Sequence, residues 1–203
     1  MKKQSLTSRS ASLARERLRR RYRPADVRIL FVGESPPASG RFFYRADSGL
    51  YRAIRDAFEI AFPGIKETDF LASFQALGCY LVDLCGIPVD RMEPRRRKRT
   101  CQDGELRLSR VMERLRPKCI VTVVRSIEAN VRRSRRRANW DGNHLELPYP
   151  GRWLRHRVAF TQALVPVLAK ELSIVKDRQM RKPNGRLRTE VTGKKYSEVQ
   201  QHD

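Results

Sequence analysis

The run Ile29-Leu30-Phe31-Val32 stops abruptly at Gly33, and Glu34-Ser35-Pro36-Pro37 follows at once. A short, continuous apolar run bounded by turn residues reads as a strand buried on both faces, the kind found in a parallel sheet, and this strand is expected to run from Asp26 to Val32. The two prolines fix φ and remove N–H donors, so the exit loop is stiff and runs on neither as strand nor as helix. Gly40-Arg41-Phe42-Phe43-Tyr44 then adds an aromatic cluster. In open α/β sheets the strands deliver polar groups to ligands just outside their carboxyl ends. A stiff loop holding a carboxylate beside aromatic faces suits a flat ligand with polar edges, such as a nucleobase. The plainer alternative is an ordinary strand exit, with Phe42 and Phe43 packed back on the core.

The rest of the chain supplies partners for that strand. Cys79–Leu84 and Cys119–Val124 are apolar runs of the same kind, and Leu145–Pro148 is a shorter one. Asp47-Ser48-Gly49 opens a helix to about Phe62, with Leu50, Ile54, Ala57, Phe58 and Ala61 on one face. Residues 69–77 form a short helix or turn. Arg95–Arg99 reads as a basic linker, after which Asp103 caps a helix carrying Leu108, Val111, Met112 and Leu115. A short helix starts near Ile127, and a last, mostly apolar one runs from about Val158 to Leu172. Strands alternating with helices predict an α/β fold, a three-layer α/β/α sandwich with a central four-stranded parallel sheet and right-handed crossovers. The domain spans residues 25–173. Residues 1–24 form a basic arm, exposed or helical but solvated rather than packed, and 174–203 a polar tail expected to be disordered.

Charge sets the partners. Lys and Arg number 44 against 22 Asp and Glu, a formal charge of +22. Basic clusters at residues 19–23, 95–99 and 132–137 point to nucleic acid, whose phosphates they neutralise with release of counterions. No apolar run approaches the ~20 residues of a membrane-spanning helix. No apolar stretch follows the basic N-terminus, so a secretory signal is not expected. The four cysteines, Cys79, Cys85, Cys101 and Cys119, show no CxxC spacing and read as reduced thiols of a cytoplasmic protein. A monomer without a cofactor is expected.

Taken in order, these segments resemble the uracil-DNA glycosylase superfamily over about residues 26–172. Gly33-Glu34-Ser35-Pro36 is similar to its first motif, nearest the iron–sulfur-containing type. Gly40-Arg41-Phe42-Phe43 and Ser48-Gly49-Leu50 resemble the stretch holding the aromatic that stacks on uracil. Leu81-Val82-Asp83-Leu84-Cys85 resembles the second strand, Leu115-Arg116-Pro117-Lys118-Cys119-Ile120-Val121 a helix–strand junction, and Pro148-Tyr149-Pro150-Gly151-Arg152-Trp153 the last motif loop. Departures accompany the likeness. Ser35 stands where several branches carry a water-positioning Asp or Asn, Asp83 where an asparagine reads the base, and Tyr149 where a histidine is usual. Cys85 and Cys101 match two of the cluster ligands, but the earlier pair is missing, so no cluster is expected.

The resemblance implies roles. Phe42 or Phe43 would be the platform for a base taken out of the stack, the other being core, with Gly33 close by. Glu34 would orient water and stabilise the sugar cation, unless it pairs with an arginine. Asp83 would read the base edge, unless it caps a helix or pairs with an arginine. An ionised carboxylate only accepts, so it favours bases that present donors, such as cytosine- or adenine-type amines, or it acts protonated; either way it speaks against plain uracil specificity. Ser35 would bind water or phosphate, and Tyr149 the base carbonyl. Trp153 or Leu154 would fill the gap left by the base, and Arg41, Arg152, Arg155, His156 and Arg157 would contact DNA. The function expected is hydrolysis of an N-glycosidic bond to a uracil-type or other deaminated base in DNA. The alternatives are a nucleic-acid-binding relative without catalysis and a metal-dependent nuclease using Glu34 and Asp83.

Overall fold

The first three apolar runs form strands, the fourth strand starts two residues before the expected Leu145 and ends at Glu146, and all four pair in parallel. The strands are β1 (Ile29–Gly33), β2 (Cys79–Asp83), β3 (Cys119–Thr122) and β4 (Asn143–Glu146), ordered β2-β1-β3-β4. Ile29 lies opposite both Cys79 and Cys119, and Gly33 opposite Asp83. Every residue of β1, β2 and β3 is buried, which is why these runs are apolar without alternation. The computed structural model describes residues 2–65, 70–151 and 153–180.

The expected three-layer α/β/α arrangement is present. On one side α2 (Gly49–Ala61) packs against α6 (Leu154–Met180), and α4 (Pro94–Leu115) against α5 (Glu128–Arg137). In α6 the buried residues Phe160, Leu164, Leu168 and Leu172 recur every fourth position. Ser48 caps α2, its hydroxyl accepting from Tyr51 N at 3.1 Å. The short α3 (Phe70–Ala76) buries Phe70 and Phe74 against the aromatic core.

Four stretches differ from the sequence expectation. Residues 95–99 are not a linker but the first turns of α4. Glu93 caps this helix through Arg95 N and Arg96 N, at 3.0 Å each, and Pro94 takes its first position. Residues 132–137 lie within α5, and α6 begins before Val158 and continues to Met180. Of the expected tail, residues 181–203 lie outside the described residues. The basic arm is α1 (Lys2–Arg21), and its last turns are packed rather than solvated: Arg19 is buried, and Tyr22 stacks on Tyr44 with centroids 5.5 Å apart. No helix among the described residues is long and apolar enough to cross a membrane.

The arm docks beside β2, an edge strand, and an edge exposes unpaired backbone groups. Tyr44 Oη accepts from Leu81 N at 2.7 Å and donates to Leu81 O at 3.0 Å, so one hydroxyl satisfies both outward groups of that residue. Arg107 donates to the carbonyls of Asp83 and Leu84 farther along. At the opposite edge, His144 lies between Arg135 Nη1 and Thr122 Oγ1, each at 2.8 Å. Arginine can only donate, so Nδ1 accepts and Nε2–H donates to Thr122. Burial, with Arg135 beside it, lowers the His144 pKa to about 4.

Two outcomes are expected. Tyr44→Phe leaves a buried N–H and C=O unpaired and costs about 1–3 kcal/mol, read from the urea midpoint. The depressed His144 pKa means the unfolded chain takes up its proton first as pH falls through 6.5, and stability is lost until about 4. Between pH 7 and 5 the protein should lose about 1–2 kcal/mol more than a His144→Gln variant. Parallel acid limbs for the two proteins would contradict a neutral, buried His144.

Candidate functional site

Strand order fixes where a ligand can sit. The chain goes from β1 to β2 on one side and then crosses to β3 on the other, so the order reverses between β1 and β3. Open α/β sheets bind ligands outside the carboxyl ends of the strands at such a reversal. A cavity of about 410 Å³ lies there. Its polar wall holds Glu34 and Ser35 from the β1 exit and Asp83 from the end of β2. Its apolar wall holds Phe42, Phe43 and Leu81, and Tyr149 also lines it.

The β1 exit is held from several directions. Cys85 N donates to Glu34 O at 2.8 Å, Val89 N to Ser35 Oγ at 3.3 Å, and Ala38 N to Asp90 Oδ1 at 3.0 Å. These bonds tie the Pro36-Pro37 loop to the loop that follows β2. Gly33 is required by close approach: a Cβ here would lie 2.8 Å from Asp83 Oδ1. The glycine lets the carboxylate of β2 lean across the end of β1 into the cavity wall.

Both acids are paired with arginines that the sequence did not single out. Arg97 from α4 grips Glu34 with two bonds, Nε to Oε1 at 2.8 Å and Nη2 to Oε2 at 2.5 Å. Arg19 from α1 donates through Nη2 to Asp83 Oδ2 at 2.8 Å, and both side chains are less than a tenth exposed. Its guanidinium also lies over the Phe42 ring, 5.6 Å from the centroid. Burial raises the Asp83 pKa, and the attraction of Arg19, Arg107 and Arg15 opposes this without cancelling it. Burial works against charge on Arg19 too, but Asp83 and Glu16 outweigh it and raise the Arg19 pKa. No described residue donates to Asp83 Oδ1, the oxygen against Gly33.

The remaining expected residues divide into groups. Phe42 and Phe43 are both core, each with its ring against Tyr44, and both still line the cavity. Neither therefore stands out as a free platform. Tyr149 is 47% exposed at the cavity wall, and partial burial raises its pKa. Trp153 and His156 line a neighbouring cavity instead. Arg41, Arg155 and Arg157 are exposed and take no part in the first cavity, and Arg157 Nε donates to Gly151 O at 3.3 Å. Arg152 lies outside the described residues.

The resemblance raised an iron–sulfur cluster, and the residues present do not fit one. Cys85 and Cys101 are neighbours with Sγ atoms 3.6 Å apart, and the Cys101 thiol approaches Glu34 Oε1 at 3.8 Å. Cys79 and Cys119 lie in β2 and β3, where both pair with Ile29 at the far end of the sheet from the cavity. Among the described residues, no group of three or more His, Cys, Asp or Glu is placed to hold a metal ion. No family model matches the chain, and the search of curated proteins found no match.

Sequence reasoning missed Arg19 and Arg97 because each sat in a basic run read as a face for nucleic acid. The Glu93-Pro94 pair was the available signal for Arg97, since it starts a helix that carries this arginine one turn later toward β1. The Arg19–Asp83 pair gives a direct test. Arg19→Met strands a buried carboxylate and should cost about 3–5 kcal/mol in urea unfolding. Asp83→Asn added to it should recover much of that loss. Additive losses would mean the two side chains do not depend on each other.

Proposed function

We propose that this chain binds DNA, takes one base into the cavity beside β1 and hydrolyses its N-glycosidic bond, as a monomeric base-excision enzyme of the cytoplasm. One observation carries the reading: Glu34, Asp83 and Tyr149, far apart in sequence, line a single cavity with aromatic surface at the strand-order reversal. Its size lies in the range of small-molecule sites. Exposed arginines on the first turns of α4 and the last turn of α5 supply phosphate contacts, and the free cysteines suit a reducing compartment.

Each residue has a chemical task. Asp83 Oδ2 is taken by Arg19, which leaves Oδ1 as a fixed acceptor. Deamination turns an acceptor ring nitrogen of cytosine or adenine into an N–H donor. A fixed acceptor therefore rewards the deaminated base and opposes the lone pair of its parent. This ring-nitrogen contrast replaces the argument from exocyclic amines and makes uracil and hypoxanthine the favoured substrates. Glu34 accepts two bonds from Arg97, and a carboxylate has about four acceptor positions, so it retains capacity to hold a water. Ser35 Oγ accepts from Val89 N, and its O–H remains to bind water or substrate.

A second reading is base binding without hydrolysis. The Arg97 grip favours it, because a paired carboxylate stabilises a developing sugar cation less than a bare one. The nuclease alternative fares worst: both acids are arginine-paired, and a third ligand is missing among the described residues.

The test uses the full chain with single-stranded and duplex oligonucleotides containing uracil, hypoxanthine or xanthine, followed by hot alkali. Scission at the modified base is expected, slowed about 100-fold or more by Glu34→Gln with DNA affinity retained. Binding without scission at protein excess would leave the second reading. Cleavage abolished by EDTA would point to the nuclease.

A further inference from the structure

A second cavity of about 430 Å³ adjoins the first and shares Val124 and Tyr149 with it. Its other walls include Arg125, Ser126, Trp153 and His156. The Tyr149 ring, 47% exposed, stands between the two cavities, and the Trp153 indole is 54% exposed. The loop carrying them is braced: Gly151 N donates to Tyr149 O at 2.8 Å, and Arg157 Nε to Gly151 O at 3.3 Å. An aromatic face beside an arginine and a histidine suits a base joined to a phosphate, since every base has a face to stack and every phosphate a charge to meet.

We propose that this cavity is a subsite for the nucleotide adjoining the one recognised in the first cavity, and that the partner is single-stranded DNA. The proposal rests on the nucleobase reading of the first cavity. Two neighbouring cavities divided by one tyrosine ring require two consecutive nucleotides to leave a helical stack. Extracting both from a duplex costs unstacking and unpairing twice, whereas a single strand has already lost its pairing. The adjoining base stacks on Trp153, its phosphate meets Arg125 and His156, and Tyr149 separates it from the first base. Trp153 is then a platform for a neighbouring nucleotide, not a wedge driven into a duplex.

The sequence holds two tryptophans, and the other, Trp140, is buried with its Nε1 donating to Pro117 O. Changes in emission on binding therefore report on Trp153. The full chain is titrated with a single-stranded thymidine octamer, the same octamer paired with its complement, and thymidine monophosphate. Quenching by the single strand is expected at about tenfold or lower concentration than by the duplex or the mononucleotide. Read by anisotropy of an end-labelled octamer, because these variants lack the reporting indole, Trp153→Ala should lose about tenfold in single-strand affinity, the order of one stacking contact, and Trp153→Phe should recover most of it. Equal affinity for single strand and duplex, or unchanged affinity in Trp153→Ala, overturns the proposal. The two readings fail separately: single-strand quenching without base release keeps the subsite and removes hydrolysis. Base release equal from both DNA forms, with Trp153→Ala unaffected, does the reverse.

Discussion

A carboxylate buried at the end of an edge strand has to be neutralised, and much of this structure follows from how Asp83 is. Its oxygens lean across Gly33, the one residue at the end of β1 that leaves them room. Its charge is met by Arg19, which reaches it only if the end of α1 lies along β2. Placing α1 there brings Tyr22 onto Tyr44, and Tyr44 closes the backbone of Leu81. One buried acid thus ties together the basic arm, the free edge of the sheet and a cavity wall. Had the position been apolar, the arm would have had little reason to dock, and the edge would have needed another cover.

The same logic changes what the net charge means. A surplus of +22 suggests a surface given over to a partner, yet several arginines are engaged by the protein's own acids and rings. Arg97 holds Glu34, Arg133 holds Glu105 and Arg132 holds Glu146. Arg135 lies over the Trp140 ring while it donates to His144. The guanidinium forks match carboxylates geometrically, which lysine does not. Cations left exposed for a partner include Arg95, Arg96, Lys98 and Arg99 on α4, and Arg136 and Arg137 at the end of α5.

What the sequence made legible follows from which signals were local. β1, β2 and β3 are buried on both faces, so their lettering is continuous and their ends sharp. The strand–helix alternation then determines the layers. The convergence of the β1 exit, Asp83 and Tyr149 was legible for the same reason, since parallel strands bring their carboxyl ends to one edge. The partners of the two acids were not, because an arginine in a basic run carries no mark of where it points. Arg97 is distinguished from Arg95 and Arg96 only by the helical turn that Glu93 and Pro94 begin. The packing of both Phe42 and Phe43 was legible only as the plainer of two alternatives, for a second aromatic beside the first has no sequence sign of which one faces inward.

The arginine pairs also bear on what the cavity can do. Preorganised dipoles act at developing charge because they need not move when it appears. Glu34 is fixed by two bonds from Arg97, and Asp83 by Arg19 with Gly33 against its other oxygen. Both are therefore directional acceptors more than bare charges. A neighbouring guanidinium cancels much of the field a carboxylate would exert on a sugar cation, but it leaves lone-pair direction intact. Recognition of an N–H edge and orientation of one water depend on direction. Stabilisation of a cation depends on field. The geometry favours the first two, so any hydrolysis here has to draw its rate from the placement of base and water more than from electrostatic attraction to the sugar.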